Sequence, residues 1–244
     1  MAIKTRKISD WLSANGQAVT NASKASMQAY LEQNIRPLQD GVYIGKMQND
    51  GWGSQTGDEN AVIGSYKRIE PWQTTGIGIS SGDADAIVIQ HGGYRLGIAL
   101  TEPSNAMKWG SVQNNSSVGY QTSADLNTFD GSTRTAGIMA SSYYKNDDPA
   151  TYGVAYCWNY MTNRTEGSKI CQIGKHNWWL PTMGDLALIH QHFETINLAL
   201  QRIKDAGNQS VSLLQRTGYW SCVEGSGTNA WVLGFGGGYR FGSG

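Results

Sequence analysis

The sequence predicts an α+β protein, and three observations predict it. Short apolar runs separated by turn residues fill the part from 41 to 100, which is typical of strands. An apolar stripe with helical spacing follows Thr182. The last fifteen residues return to an alternation with a period of two. Strands at both ends with helices between them indicate an α+β arrangement whose first and last strands are available to pair.

The first 40 residues differ from the rest of the chain. Residues 22–34 are rich in helix formers, and three apolar side chains share one face of this predicted helix: Met27, Tyr30 and Leu31. Pro37 predicts that the helix ends just before it. We therefore expect residues 1–40 to form a helical arm that packs on the body or on copies of itself, and 41–244 to form one domain.

The elements of the body are predicted in chain order. Strands are expected at 42–45, 75–79, 86–89 and 96–100. Helical segments are expected at 133–144 and 150–160, followed by one long helix. Thr182 is its predicted N-cap, with Asp185 completing a capping box, and Gly207 its predicted end. Its stripe comprises Leu186, Ile189, Phe193, Ile196, Leu200 and Ile203.

The closing stretch, residues 230–244, combines two different patterns. Trp231, Leu233 and Phe235 alternate, which predicts one buried strand face. Gly234 and Gly236 occupy the other face, although glycine weakens a strand interior. One face of this strand is therefore predicted to pack in the core, and the other face contributes almost no packing.

Composition excludes several classes of partner. Lys+Arg and Asp+Glu are balanced at 19 each, and no basic stripe is interleaved with aromatic residues, so we expect no nucleic acid. No apolar run approaches the roughly 20 residues of a membrane span, so we expect no membrane insertion. The basic N-terminus lacks the apolar segment of a secretory signal, so export by that route is not predicted.

Candidate catalytic and metal-binding residues are weak, and we expect no enzyme activity, cofactor or metal. His190 and His192 are two apart on the predicted helix and would point away from each other. A thiol site could use three cysteines and one histidine, namely Cys157, Cys171, Cys222 and His176. Packed, reduced cysteines are the favoured interpretation. A disulfide between Cys157 and Cys171 remains an alternative. The Asn146-Asp147-Asp148 run is more simply a turn than a calcium site.

Three segments carry a resemblance to a known family. They are Trp178-Trp179-Leu180-Pro181-Thr182-Met183-Gly184-Asp185-Leu186, Tyr219-Trp220-Ser221-Cys222-Val223-Glu224, and Ala230-Trp231 followed by Phe235 and Gly238. Together they resemble the C-type lectin-like domains of variable proteins from diversity-generating retroelements of phages and gut bacteria. The resemblance covers about 41–244 and implies a C-type lectin-like fold with two helices and an antiparallel sheet.

The resemblance also implies which residues bind and which are fixed. A variable region of about 219–244 would present a ligand-binding surface of Gly225, Ser226, Gly227, Thr228, Gly234, Gly236, Gly237, Tyr239, Arg240, Phe241, Gly242 and Ser243. Fixed scaffold residues would be Trp178, Leu180, Pro181, Trp220, Trp231 and Phe235. Trp178-Trp179 is accordingly expected to anchor the core, with a sugar platform as the alternative.

The implied function is display of diversified residues to a bacterial surface protein or glycan. The first ten residues, MAIKTRKISD, resemble the start of tail-associated proteins of Bacteroides-type phages. We therefore expect a receptor-binding protein of a phage tail, located in the virion and acting as a homo-oligomer, with a trimer as one candidate state. The alternatives are a bacterial surface adhesin, a carbohydrate-binding module of the same fold, and an enzyme of the formylglycine-generating type.

Overall fold

The computed structural model describes residues 39–48, 62–69, 84–110, 125–142, 148–166, 169–173, 178–226 and 229–243. The predicted arm helix at 22–34 and the predicted strand at 75–79 lie outside these ranges. The described residues confirm the α+β class. Their strands are β1 (Gly41–Gln48), β2 (Val62–Ile69), β3 (Ala86–His91), β4 (Tyr94–Ala99), β5 (Thr162–Glu166), β6 (Lys169–Ile173), β7 (Gly218–Ser226), β8 (Asn229–Gly234) and β9 (Gly238–Ser243). Their helices are α1 (Gly131–Ala140), α2 (Gly153–Asn159), α3 (Met183–Gln191) and α4 (Phe193–Asp205).

The first sheet is antiparallel, with the strand order β2-β1-β3-β4. Strand β3 pairs with β1 on one side and β4 on the other, residue by residue, and it is buried from Ala86 to Gln90, whereas His91 at its end is exposed. Ile87, for example, lies opposite Ile44 on one side and Ile98 on the other. The strands predicted at 42–45, 86–89 and 96–100 are confirmed, with small shifts of their bounds.

The first two helices lie where the sequence predicted helical segments, but both are shorter. Helix α1 begins at Gly131 rather than at 133, and its first residue packs so closely against the Trp179 indole that a Cβ there would clash with it. It ends at Ala140, since Ser141 adopts an extended conformation. Helix α2 spans Gly153–Asn159, inside the predicted 150–160.

The predicted long helix is wrong as a single element. The backbone of His192, at φ −103° and ψ 14°, leaves helical geometry and separates α3 from α4. The break divides the third predicted helical segment of the body, so the three predicted segments correspond to four helices in the described residues, where the resemblance implied two. The apolar stripe is nevertheless buried on both sides of the break, because its three- and four-residue spacing continues through it. Gly207 ends α4 with a left-handed φ of 111°, as predicted.

The remaining strands form two separate antiparallel sheets. Strands β5 and β6 pair with each other, and the last sheet has the order β7-β8-β9. The first and last predicted strands, which the sequence left available to pair, do not pair with each other in the described residues. Strand β1 is flanked by β2 and β3, which already occupy both of its edges, and β9 pairs with β8.

The segment before α3 joins the layers of the protein. Trp178 and Leu180 are each 6% exposed, so the expected core anchor is confirmed for Trp178. The Leu180 amide donates to Thr135 Oγ1 of α1 at 3.1 Å, and the Pro181 carbonyl accepts from the Cys222 amide of β7 at 2.8 Å. One short segment thereby fixes α1 and the last sheet relative to α3.

Asp185 completes this junction from inside the core, with none of its surface exposed. The Asp185 amide donates to Thr182 Oγ1 at 3.0 Å, and the Thr182 amide donates to Asp185 Oδ2 at 3.0 Å, which is the predicted capping box. The same carboxylate accepts from the Tyr94 hydroxyl at 2.7 Å and from Trp179 Nε1 at 3.2 Å. The carboxylate therefore accepts hydrogen bonds from three donors in different parts of the fold.

Replacing Asp185 with alanine should lower the free energy of unfolding by about 3 kcal/mol or more, because buried donors would lose their acceptor. Urea denaturation of the full chain measures this loss. Asp205→Ala is the matched control, since Asp205 is exposed and accepts only from Gln201 on the helix surface, and it should cost less than about 0.5 kcal/mol. Equal losses in the two variants would contradict the central role of Asp185.

Candidate functional site

The predicted ligand-binding residues that the structure describes lie on the last sheet and are distributed between its two ends. Strands β7, β8 and β9 run back and forth, so the β7–β8 connection and the β8–β9 turn lie at opposite ends of β8. Gly225 and Ser226 end β7 at the first of these ends, and Gly236 and Gly237 form the turn at the other. Five residue steps along β8 separate the two ends by about 17 Å. Gly227 and Thr228 lie outside the described residues.

Strand β9 distributes the remaining predicted positions between these ends. Their Cα partners in β8 are Leu233 for Tyr239, Val232 for Arg240, Trp231 for Phe241, Ala230 for Gly242 and Asn229 for Ser243. Gly242 and Ser243 therefore lie near the β7–β8 connection, whereas Tyr239 lies near the β8–β9 turn. We define the two groups as the connection end (225, 226, 242 and 243) and the turn end (234, 236, 237 and 239).

The turn end is anchored by Phe235, which is 3% exposed. The Phe235 ring lies 4.7 Å from the Tyr219 ring and 5.8 Å from the Phe193 ring, measured between centroids, and its amide donates to the Thr217 carbonyl at 2.9 Å. The predicted burial of Phe235 is confirmed, but its place in a strand is wrong, because residues 235–237 form the turn. Trp231, from the same predicted face, is only partly buried.

The two glycines of this turn differ in the space around them. A Cβ on Gly236 would lie 3.0 Å from the Arg216 carbonyl oxygen, closer than ordinary van der Waals contact. A Cβ on Gly237 would meet nothing within 4 Å. Neither glycine has a positive φ. The two glycines therefore differ in the space available to a side chain. Position 236 is restricted and position 237 is open, although both belong to the predicted ligand-binding surface.

The predicted scaffold residues of β7 hold this sheet against the body. Trp220 Nε1 donates to the Met107 carbonyl at 2.9 Å, and Trp109 Nε1 donates to the Ser221 carbonyl at 2.7 Å. These bonds fix β7 from one side while the Pro181 carbonyl fixes it from the other. The edge of the sheet next to the body is thus held by hydrogen bonds that do not involve the predicted ligand-binding residues.

Glu102 belongs to a group of interacting side chains that the sequence analysis did not predict. The Tyr219 hydroxyl donates to Glu102 Oε1 at 3.0 Å, and the Glu102 amide donates to Ser212 Oγ at 3.3 Å. Burial raises the pKa of Glu102, and the hydrogen bond from Tyr219 opposes that shift. The charge of Glu102 also contributes to the raised pKa of Tyr156, for which burial is the main cause. No sequence signal links positions 102, 156 and 219, because only the fold brings them together.

The thiol candidates have the properties of packed side chains. Cys157 and Cys222 are free, and burial raises the pKa of the Cys157 thiol to about 12. Burial and the charge of Asp185 also raise the pKa of Cys222. Nucleophilic catalysis needs the thiolate, which these environments disfavour. His176 lies outside the described residues, and the structure does not describe the Cys171 side chain.

The candidate metal ligands are arranged as turns or lie apart. Asp148 accepts hydrogen bonds from the Ala150 amide at 3.0 Å and the Thr151 hydroxyl at 2.7 Å, so it begins a turn over residues 148–151. Asn146 and Asp147 are outside the described part of the chain. In that part, no three His, Cys, Asp or Glu side chains are grouped closely enough to bind a metal ion. None of the described helices has the length and apolar character needed to cross a membrane.

The fold and the candidate site thus define an α+β protein with an antiparallel C-terminal sheet. No protein-family model, curated protein or solved structure matches the chain in comparisons with known proteins.

The different surroundings of the two turn glycines lead to a test. Gly236→Ala should lower the free energy of unfolding by about 1 kcal/mol or more, because the new methyl group crowds the Arg216 carbonyl. Gly237→Ala is its neighbour and control, and it should stay within about 0.5 kcal/mol of the wild type. Thermal and urea denaturation of both variants would measure the difference. A Gly237 variant at least as destabilised as the Gly236 variant would refute this assignment.

Proposed function

We propose that this protein is a C-type lectin-like variable protein, diversified by a retroelement, that binds a bacterial surface molecule as part of a phage tail. The observation that carries the proposal is the contrast between a buried and an open position in the β8–β9 turn. The Phe235 ring contacts rings of α3, α4 and β7, whereas a Cβ on Gly237, two residues later, would meet nothing within 4 Å. A rigid scaffold that holds exchangeable residues is how antibody paratopes achieve adaptable binding.

Further support comes from the junction that carries the resemblance. The segment 178–186 enters α3 through the capping box and contacts β7 through Pro181, so two of the three motifs meet in space. Buried structure of this kind tolerates few changes, while exposed loop residues tolerate many. The buried side chains of Trp178, Leu180 and Phe235 and the exposed turn glycines 236 and 237 support the proposed division between scaffold and display.

The protein would bind its ligand without performing chemistry on it. Supporting this, burial raises the pKa of both Cys157 and Cys222, which keeps these thiols protonated near neutral pH. Tyr239, Arg240 and Phe241 are the proposed hot spots, because tyrosine and arginine often dominate binding energies. The separation of the connection end from the turn end implies either a ligand large enough to reach both or two contacts made separately.

Deep sequencing of the DNA encoding residues 205–244 in one propagated population tests the diversification. Substitutions should concentrate at 225–228, 237, 239 and 241–243, while Trp220, Trp231 and Phe235 stay constant. Position 236 should vary less than 237, because a side chain there crowds the Arg216 carbonyl. If the codons at these positions are uniform and no near-copy template lies beside the gene, the proposed diversification is contradicted. The proposed fold would not be affected.

We also propose that the N-terminal arm, residues 1–40, makes the protein a homo-oligomer, since its apolar stripe needs a partner surface. An oligomer would convert weak single-site binding into useful avidity. Light scattering on the full chain and on residues 41–244 measures the state directly. The full chain should be oligomeric and the shortened chain monomeric, and a monomer in both samples would contradict the proposal.

A further inference from the structure

We propose that Glu102, Tyr156 and Tyr219 form a fixed subsite for an organic cation, namely the head group of a lysine or arginine side chain on a protein partner. None of these residues is among the predicted ligand-binding positions. The inference does not rest on diversification, because a fixed subsite binds its cation whether or not the neighbouring residues vary. We call this group of three residues the acidic subsite.

The Glu102 carboxyl is held in place by contacts from separate parts of the chain. Tyr219 of β7 donates to its Oε1 at 3.0 Å, and the Gln215 amide donates to the same Tyr219 hydroxyl at 2.8 Å. Because the hydroxyl oxygen already accepts from Gln215, its proton is free to serve the carboxylate. The Glu102 backbone is tied to Ser212. Such a preorganised acceptor loses little freedom when a ligand arrives.

The carboxylate has lost part of its hydration without gaining a cation. Among the described residues, no lysine, arginine or histidine forms an ion pair with Glu102. Arg216, in the neighbouring segment, is instead paired with Glu194 at 2.5 Å and lies over the Phe193 ring. Burial raises the pKa of Glu102, which reflects the cost of keeping it charged without compensation. A bound cation would supply that compensation.

The surroundings of the carboxylate fit an organic cation better than a metal ion. Calcium needs several oxygen ligands around it, and the described residues offer one carboxylate here. The residues that interact with this carboxylate are two tyrosines instead: the Tyr219 hydroxyl donates to it, and its charge acts on Tyr156, whose ring packs 5.9 Å from the Tyr160 ring. Aromatic faces attract ammonium and guanidinium groups. A lysine or arginine also carries its charge on a long apolar stem, which can reach a half-buried carboxylate.

The acidic subsite is accessible and lies beside the turn end. Glu102 and Tyr219 are themselves half-buried, but the segments 103–106 and 215–218 on either side of them are exposed. The Tyr219 ring contacts the Phe235 ring at 4.7 Å, so the subsite adjoins the turn that carries Gly237. A basic side chain held at Glu102 would therefore place the rest of its partner next to replaceable positions.

Amide NMR of the full chain, titrated with methylguanidinium or n-butylammonium chloride at constant ionic strength, tests the subsite. Saturable shifts should appear at residues 101, 102, 156, 212 and 219, and neutral urea should not produce them. Glu102→Gln keeps the size of the side chain and removes its charge, and it should weaken binding at least tenfold. Glu194→Gln is the matched control, because it removes an exposed carboxylate that already has its arginine, and it should leave binding unchanged.

Several outcomes would overturn the proposal. These are the absence of saturable shifts in the wild type, equal shifts with urea, or full binding by Glu102→Gln. The wild-type map decides the question even if the variant fails to fold. A parallel titration with glucosamine distinguishes a protein side chain from an amino sugar as the source of the cation. If glucosamine binds more tightly than both other cations, the partner is an amino sugar and the assignment to a protein side chain is overturned.

Discussion

The buried carboxylate of Asp185 is the interaction on which most of the described structure depends. A charge with none of its surface exposed is tolerated only when hydrogen bonds replace its lost hydration. Here the donors are the Thr182 amide of the helix cap, the Trp179 indole and the Tyr94 hydroxyl of the first sheet. Burial and the charge of Asp185 raise the pKa of Tyr94, so this hydroxyl keeps its proton and remains a donor. Helix entry, core segment and first sheet are thereby positioned by one group.

The same junction also positions the last sheet. The Pro181 carbonyl, four residues before Asp185, accepts the Cys222 amide of β7, and the opposite end of α3 approaches the β8–β9 turn through His190, whose ring lies 5.2 Å from the Phe235 ring. The sheet is therefore supported by the body both along β7 and at the β8–β9 turn. In the described part of the closing stretch, buried Ala230, Leu233 and Phe235 hold it to the core, which leaves the exposed turn glycines free of a packing role.

The sequence contained much of this fold, since local patterns record local geometry. The capping box, the strand at 86–89 and the helix end at Gly207 each follow from a few adjacent residues. The break at His192 could not be predicted, because the apolar spacing continues from α3 into α4 without interruption. The tight fit of Gly236 against the Arg216 carbonyl and the pairing of Tyr219 with Glu102 were equally hidden, since each joins residues that no periodicity connects.

The two ends of the last sheet have different physical capacities, which bears on how a partner would be recognised. The turn end has a rigid base, an open position at Gly237 and, in the acidic subsite, a charge that does not depend on which residues fill the open positions. Desolvated charge acts strongly on a matching cation but distinguishes poorly between partners that both carry one. Shape and apolar contacts from replaceable neighbours would then supply the discrimination. A protein built in this way gains affinity from a constant contact and specificity from exchangeable ones, so a new set of replaceable residues would not have to create binding from nothing.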